Sequence, residues 1–482
     1  MNNEKLEQPE VEPLPRDITG WRWALASTAI LASCFLYALD ITVVAAIQPI
    51  IVAEYDAVDQ LAWLSVAVLL SSTATNMVWG RLYTQFNSKW LYLFNVFLFE
   101  VGSAICGAAP NMEVMIAGRA ICGVSGAGLY VGVMSLIAVT TTIAERPLYI
   151  SGTGVTWGLG IVLGPVVGGA FSESAVGWRW SFYINLFIGA VFAPAWLFLL
   201  PSNDPRPGVS YKQRIAEMDY AGTVLSMGAL TTFILAINWG GATYPWVSGR
   251  VIGLFVTSSV LFVLLGIQQV TILILFGTTA SSGAAAFIPI YFVPLFFQFT
   301  RNDGAFDAGA RLLPLIVLMI AAILYTMGGL LTVAGGALMY PVDQDTSHAR
   351  IYGYTILIGV GVGMYLQTSF SVTQAVVDPE NVPPAVGFIT VAQFLGITVA
   401  LAIANTVLPN MSREEIQAAI EGAAGGFVQA LSPDLRTQVV GAIVAAIGKT
   451  YVLVIAAGSL VTVLSLVMKR EKLFMTAGVV AA

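Results

Sequence analysis

The chain has 482 residues, of which 57% are hydrophobic and only 10% are charged, and its net charge is −6. Soluble domains carry about 25% charged residues, so this composition excludes a soluble enzyme, a disordered chain and a nucleic-acid-binding protein. It indicates a protein embedded in a lipid bilayer. Cys34, Cys106 and Cys122 lie inside apolar stretches, and the single histidine, His348, lies in a polar loop. Their spacing predicts no metal site, and we expect no cofactor and no enzymatic activity.

The first half of the chain predicts a tail, a six-helix bundle and a linker. Residues 1–20 are polar and contain several prolines, which predicts a disordered cytosolic tail. A spanning helix needs about 20 mainly apolar residues, and residues 21–201 contain six such stretches. They are Trp23–Val52, Leu61–Trp79, Trp90–Ala108, Met112–Ile143, Leu148–Phe171 and Trp180–Leu200. Residues 202–217 are charged and contain prolines that interrupt a helix, so they predict a cytosolic linker.

The second half predicts an extra helix pair at 218–270 and a C-terminal bundle at 271–468. The stretch Val251–Thr300 contains no charged residue. A single helix of that length would be about 75 Å long, so we expect two spans with a turn near Gly266–Thr271. Leu312–Tyr340 is long enough for one crossing, which could break at Gly328–Gly329. The remaining predicted spans are Ile351–Val377, Pro384–Leu408 and Thr450–Met468, and residues 469–482 are predicted to form a cytosolic tail.

An amphipathic segment interrupts the C-terminal bundle at residues 412–448. Ser412 and Glu415 have the spacing of a capping box, and Ser432-Pro433 is a second helix start. Charged residues keep one side of the segment polar. This pattern predicts two short helices that lie on the membrane surface.

The distribution of basic residues predicts the orientation of the chain. Arg and Lys occur in the N-terminal tail, in alternate loops and in the cluster Lys469, Arg470 and Lys472, so both ends are expected in the cytosol. Two cytosolic ends require an even number of crossings, whereas the stretches above give about thirteen. We therefore expect one crossing to be missing or hidden. Leu312–Tyr340 is the range in which we expect this.

The fifth predicted span contains an ordered set of glycines around one proline. The string is Gly160-x-x-x-Gly164-Pro165-x-x-Gly168-Gly169. Small residues at this spacing let two helix backbones approach closely, and a proline bends the helix that contains it. By itself this pattern is explained equally well by a tightly packed helix pair with no further function.

The complete string resembles the antiporter motif of drug:proton exporters of the major facilitator superfamily. Other strings resemble further motifs of that superfamily, in its fourteen-span drug:proton antiporter branch. They are Leu39-Asp40-Ile41-Thr42-Val43-Val44, Gly80-Arg81-Leu82 followed by Lys89, Arg119-Ala120-Ile121-Cys122-Gly123, and Trp178-Arg179-Trp180-Ser181-Phe182-Tyr183-Ile184-Asn185. The combination is most similar to fungal toxin and multidrug efflux pumps.

The resemblance implies an all-α polytopic membrane protein with two helical bundles of the major facilitator type and an extra helix pair between them. The family has 14 crossings against about 13 that can be counted here. Thr84 stands where the family has an acidic residue, and Asn87 where it has a glycine. The family also often has glutamine where Cys122 stands. We expect the second half to be shorter than in the family near Gly266–Thr271, in Leu312–Tyr340 and before Asn410.

Three charged residues fall inside predicted spans, where a charge costs about 2.5–3.5 kcal/mol on insertion scales. They are Asp40, Glu100 and Arg119. Asp40 and Arg119 have similar predicted depths and could meet. We interpret Asp40 and Arg119 as a proton-coupling pair, because opening and closing a cavity changes the proton affinity of a carboxylate beside a cation. A purely structural ion pair is the alternative, and for Glu100 a packing role fits as well as coupling.

Polar residues in the second half are candidates for the substrate cavity. Gln367, Ser371 and Gln374 have the spacing i, i+4, i+7 and therefore share one helix face. Gln393 is a polar position in the next span. Hydrogen bonds between helices explain these residues as well as substrate contact does. Asn410-Met411-Ser412 is a glycosylation pattern, and Asn410 is expected on the non-cytosolic side if the missing crossing is restored.

Together these features predict a secondary active transporter that exports small hydrophobic compounds, such as a toxin, drug or secondary metabolite, by proton antiport and alternating access. The alternatives are an importer of a small solute such as an iron chelate or amino acid, and a non-transporting membrane sensor. The expected partners are the substrate, protons and the lipid bilayer, with no nucleic acid. We expect a monomer, in the plasma membrane rather than the vacuole.

Overall fold

The computed structural model describes residues 16–57, 60, 63–142, 145–241, 243–268, 325–366, 369–370, 377, 382–407 and 433–467, with residues 285, 288–289, 292–293 and 296–297 between them. The described residues are mainly helical. The named helices are α1 Gly20–Tyr55, α2 Trp63–Gln85, α3 Ser88–Ala108, α4 Met112–Thr140, α5 Arg146–Glu173, α6 Trp180–Phe198, α7 Tyr211–Ala216, α8 Tyr220–Trp239, α9 Gly249–Gln268, α10 Tyr325–Met339, α11 His348–Leu366, α12 Val382–Val407 and α13 Pro433–Val467.

The helices have the length and composition of membrane spans. Among the described residues, eight helices are long and apolar enough to cross a membrane, and three shorter helices are apolar. α2 belongs to neither group because its middle carries hydroxyl groups. These hydroxyls are accommodated inside the bundle, since Thr73 and Thr75 donate to carbonyls one turn earlier in α2 and Ser72 donates to the Gly123 carbonyl of α4 at 2.9 Å. The expected all-α membrane fold is confirmed.

The first six helices pack as one bundle. α1 lies along α5, α4 contacts both α2 and α3, and α6 packs on α1 and α3. In the second half, α10 packs against α11 and α13. α2 and α4 both contact α12, so these contacts join the two halves of the molecule.

α8 and α9 form the expected extra pair, and α8 lies where the two halves meet. It contacts α2 on one side and α12 on the other. Leu230 and Ile234 of α8 are buried against Val391 and Leu395 of α12. α8 therefore lies beside the junction of α2 and α12.

α10 passes through Gly328–Gly329 without a break, so the expected break at this position is wrong. The two glycines serve close helix contacts. A Cβ atom on Gly328 would lie 2.5 Å from the Gly361 carbonyl oxygen of α11, and one on Gly329 would lie 3.0 Å from the Gly458 carbonyl oxygen of α13. Residues 312–324 lie outside the described residues, so a single crossing in Leu312–Tyr340 stays a prediction.

α13 begins at Pro433, where the sequence predicts a helix start, but it continues to Val467. The prediction of a separate second surface helix within 412–448 is therefore wrong. The residues between Val439 and Gly448 are uncharged and contain no proline, so nothing ends the helix before the membrane span. The first predicted surface helix, before Ser432, lies outside the described residues.

The linker at 202–217 is attached to the short loop between α2 and α3. Arg214 of α7 donates to the Gln85 carbonyl at 2.8 Å and to both carboxylate oxygens of Asp204 at 2.8 Å. Ser88 donates its backbone N–H to the Asn203 carbonyl at 3.0 Å. The linker thus folds back onto the end of α2 where α3 begins.

Candidate functional site

A fully buried ion pair joins α1 and α4. Nη1 of Arg119 lies 2.5 Å from Oδ2 of Asp40, and their side chains are 1% and 0% exposed. The two residues are 79 positions apart in the chain, so the pair links two helices. The sequence places Asp40 and Arg119 at similar depth, and the structure brings them into direct contact.

The backbone around the pair satisfies further donors of Arg119. Its Nε donates to the Leu64 carbonyl at 3.2 Å, and Nη1 also reaches the Asp40 carbonyl at 3.4 Å. The guanidinium group lies 5.9 Å from the ring centre of Phe182 on α6. Removal of one partner of a buried pair leaves an uncompensated charge, which costs about 3–5 kcal/mol.

α6 and α3 extend the polar contacts of Asp40. Nδ2 of Asn185 on α6 donates to Oδ1 of Asp40 at 3.4 Å and to Oγ of Ser103 on α3 at 3.1 Å. Both Asn185 and Ser103 are completely shielded from solvent. Four helices, α1, α3, α4 and α6, therefore meet at one polar centre.

The glycines of α5 pack against the segment of α1 that contains Asp40. A Cβ atom on Gly160 would lie 2.6 Å from the Ala38 Cβ, and one on Gly168 would lie 2.9 Å from the Val43 carbonyl oxygen. A Cβ atom on Gly164 would overlap the Thr42 side chain, whose hydroxyl donates to the Gly160 carbonyl at 2.9 Å. The predicted close approach of two backbones is confirmed, and it fixes the position of α1 on the side opposite α4.

Glu100 lies on α3 beside this centre but does not join the ion pair. Both of its carboxylate oxygens are buried, and neither has a hydrogen-bond partner among the described residues. The carboxyl group packs against Gly189 on α6, where a Cβ atom would lie 2.8 Å from the Glu100 Cδ. Three candidate residues from the sequence thus divide into a bonded pair and one isolated carboxyl group.

A row of aromatic rings crosses from the first half to the second, one helical turn from Asp40. Tyr37 of α1 contacts Trp157 of α5 with ring centres 5.7 Å apart, and it contacts Phe394 of α12 at 6.2 Å. Tyr130 of α4 contacts Trp157 at 5.3 Å and Phe370 at 5.7 Å. We call these five rings the aromatic row. They are buried, so the structure shows the two halves in contact here.

The aromatic row has polar neighbours. The Tyr37 hydroxyl lies 2.8 Å from Oγ of Ser72 on α2. One turn further along α2, the amide group of Asn76 is buried and has no partner among the described residues. Gln393, a predicted substrate contact, is 7% exposed and adjoins Phe394. Gln367, Ser371 and Gln374, the other predicted contacts, and Asn410, the glycosylation candidate, lie outside the described residues.

Sequence reasoning missed Asn185, Ser103 and Gly189. Asn185 ends one of the motif strings quoted above and is a lone amide in an apolar helix, which was a usable signal. Ser103 and Gly189 gave no such signal, because small residues are frequent in membrane helices. Only the rotation of α3 and α6 about their axes brings them to Asp40 and Glu100.

Comparison with known proteins gives consistent results. The family model described as Major Facilitator Superfamily matches residues 30–401. The chain is 50% identical to the MFS-type transporter pgmG of Aspergillus terreus over 506 positions, which cover 95% of this chain and 90% of the relative. It is 41% identical to the efflux pump alnA of Emericella nidulans, with 98% and 95% covered, and 38% identical to the efflux pump DEP3 of Fusarium langsethiae, with 96% and 92% covered.

The alignment with pgmG also bears on chain length. Its 506 positions exceed the 482 residues of this chain, so the relative has internal residues with no counterpart here. This agrees with the expectation that the chain is shorter than its family at internal positions.

Solved structures share the fold. The human organic anion transporter MFSD10 (TETRAN) superposes with a TM-score of 0.59 at 13% identity, covering 91% of this chain and 99% of that one. A bacterial homolog of the human lysosomal transporter Spinster, in an inward-facing and unoccupied conformation, superposes with a TM-score of 0.56 at 14% identity, covering 93% and 98%.

Proposed function

Because the chain belongs to the Major Facilitator Superfamily, we propose that it is a secondary active transporter that exports small hydrophobic compounds by proton antiport and alternating access. The proposed substrates are toxins, drugs or secondary metabolites. Two relatives that it matches over nearly their whole length are named efflux pumps, which favours export. The multi-pass helical fold places the protein in a membrane.

The observation that carries the antiport proposal is the buried pair of Asp40 and Arg119. Protonation of Asp40 removes its charge and weakens its bond to Arg119, whereas loss of the proton restores the bond. Since the pair joins α1 to α4, the two protonation states favour different contacts between these helices. Proton binding can shift a conformational equilibrium only by such a difference between states.

The α5 glycines support this role by positioning α1. Gly160, Gly164 and Gly168 allow α5 to hold the Asp40 segment at backbone distance, while Pro165 lies inside the same continuous helix. We assign Gly169 to the same motif. A small displacement of α1 would move Asp40 relative to Arg119, so the motif and the ion pair act as one unit.

We place the substrate at the aromatic row, where the two halves separate when the transporter opens. Aromatic rings offer a hydrophobic compound a large contact area, and a few polar groups orient it. We propose Gln393, which adjoins Phe394 in the sequence, and Asn76, one turn after Ser72, as such polar groups. Gln367, Ser371 and Gln374, which share one face of the preceding predicted span, remain further candidates.

We further propose that the protein acts as a monomer in the plasma membrane, has no enzymatic activity and needs no cofactor. With both ends in the cytosol, Asn410 would lie outside the cell. An impermeant maleimide should therefore label an Asn410→Cys variant in intact cells. Labelling only after permeabilisation would contradict this orientation.

The proposed function is tested by accumulation of toxic compounds in cells that express or lack the gene. Expression should lower the accumulation of at least one hydrophobic compound. Inside-out vesicles that carry the protein should concentrate that compound only when a proton gradient is imposed. Gradient-driven uptake in right-side-out vesicles would instead indicate an importer, and no proton-linked flux of any compound would indicate a sensor.

Asp345→Asn, in the exposed loop between α10 and α11, is the matched control for changes at Asp40.

A further inference from the structure

Glu100 carries a buried carboxyl group on α3. Neither oxygen is bonded within the described part of the chain, although both are shielded from solvent. Arg119, the cation of this region, is already bonded to Asp40. An ionised carboxylate without a partner is costly inside a membrane protein. The surroundings of Glu100 therefore favour its neutral, protonated form while the Asp40–Arg119 pair is closed.

α3 and α6 shape a niche for this carboxyl group. Gly189 leaves the space that the Glu100 carboxyl group fills, since even one methyl group there would overlap its Oε1 atom. Glu100 lies one turn before Ser103 on α3, and Gly189 lies one turn after Asn185 on α6. Ser103 and Asn185 are the pair that connects to Asp40. In the predicted orientation, Glu100 is thus one turn closer to the cytosol than these two residues.

The charges around Glu100 depend on the state of Asp40. Asp40 on α1 interacts electrostatically with Glu100. Arg119 on α4 interacts in turn with Asp40 and with the buried thiols of Cys106 on α3 and Cys122 on α4. Tyr183 is a further titratable residue of α6. While Asp40 is ionised, its charge opposes ionisation of Glu100. When Asp40 takes up a proton, that opposition disappears and the charge of Arg119 is no longer neutralised.

We propose that Glu100 is a second proton-holding group of the transporter and that it releases its proton when Asp40 gains one. The inference rests on the proposed antiport and deepens it. Asp40 accepts a proton from the outer side, the O–H bond of Glu100 breaks, and that proton passes to water on the cytosolic side. The total charge of the two carboxyl groups and Arg119 is unchanged, and one proton has moved inward.

Infrared difference spectroscopy of the purified full-length protein tests the proposal without a substrate. The C=O stretch of a protonated carboxylic acid is distinct from the bands of a carboxylate. At neutral pH, the wild-type protein should show this band, and Glu100→Gln should remove it. If the band is the same in Glu100→Gln, Glu100 is ionised in the wild type and the proposal is wrong.

Asp40→Asn tests the link between the two groups, because asparagine imitates the protonated form of Asp40. The Glu100 band should weaken at neutral pH, and its titration midpoint should move to lower pH, because the negative charge of Asp40 is gone. An unchanged midpoint would show that the two groups are independent and would overturn the proposal. This result does not depend on export, so the two proposals can fail separately.

Gly189→Ala tests the niche without changing any titrating group. The added methyl group should displace the Glu100 carboxyl group and shift or abolish its band. Gly253→Ala on α9 is the control, since a Cβ atom there meets nothing within 4 Å. An unaltered band in Gly189→Ala would contradict the proposed position of the proton.

Discussion

Two aspartate–arginine pairs in this protein have the same chemistry but different surroundings. The Asp40–Arg119 pair joins α1 and α4 and is completely buried. The Asp204–Arg214 pair lies in the linker, where the Arg214 side chain is 5% exposed and the Asp204 side chain is 36% exposed. Arg214 binds both carboxylate oxygens of Asp204, whereas Arg119 bonds to one carboxylate oxygen of Asp40.

The difference shows which of the two pairs can respond to a proton. The hydrogen bonds from Arg214 lower the pKa of Asp204, so this carboxylate stays ionised at physiological pH. Asp204 is also partly exposed, so water would compensate in part for the loss of its partner. At Asp40, no water compensates for a lost partner, so protonation and helix contact change together. The two pairs carry the same charges and differ in burial. Burial therefore makes the Asp40–Arg119 pair a candidate switch, whereas the Asp204–Arg214 pair stays ionised and holds the linker in place.

The largest effect is expected from Arg119→Ala. It leaves Asp40 buried without its cation, which should lower the free energy of unfolding by about 3–5 kcal/mol and abolish export. Thermal unfolding of the detergent-purified protein measures the loss. The double variant Asp40→Asn/Arg119→Ala should recover part of the stability but none of the transport. A single variant as stable as the wild type would show that the pair is not sealed from water.

Gly164→Val should have the next largest effect. The added side chain would overlap Thr42 and push α1 away from α5, and overpacking of this kind costs about 1–3 kcal/mol. The export rate should fall more than the loss of folded protein explains, because Asp40 moves with α1. Gly253→Val is the control, since its position is open. Equal export by both variants would show that the glycine motif does not act through the ion pair.

Asp204→Asn should have the smallest effect, and its effect should depend on pH. The pKa of Asp204 is lower in the folded protein than in the unfolded chain, so its contribution to stability is present above the unfolded pKa. It is lost as the pH falls through the folded pKa. The melting temperatures of variant and wild type should therefore converge in acid while export at neutral pH is retained. A variant that is expressed normally but does not export would show that the Asp204–Arg214 pair takes part in transport.

The sequence was most informative where a residue type is rare in its surroundings. Asp40 and Arg119 could be paired because charges are expensive in apolar helices and their depths could be counted. The Asn185–Ser103 bridge and the Gly189 niche depend on the rotation of α3 and α6, which spacing along one helix does not reveal. The continuation of α13 beyond Gly448 was missed because a capping signal marks where a helix starts, not where it ends.

The central proposal is that Asp40 couples proton entry to export, and proteoliposomes containing Asp40→Asn test it most directly. The proteoliposomes would be assayed with a compound found in the accumulation screen. Proteoliposomes containing the wild-type protein or Asp345→Asn would be assayed in the same way as references. We expect Asp40→Asn to exchange the compound down its concentration gradient at a rate close to that of the wild type. It should not concentrate the compound when a proton gradient is imposed, whereas both reference proteins should. If Asp40→Asn concentrates the compound at the wild-type rate, the coupling role is wrong and the pair with Arg119 is structural.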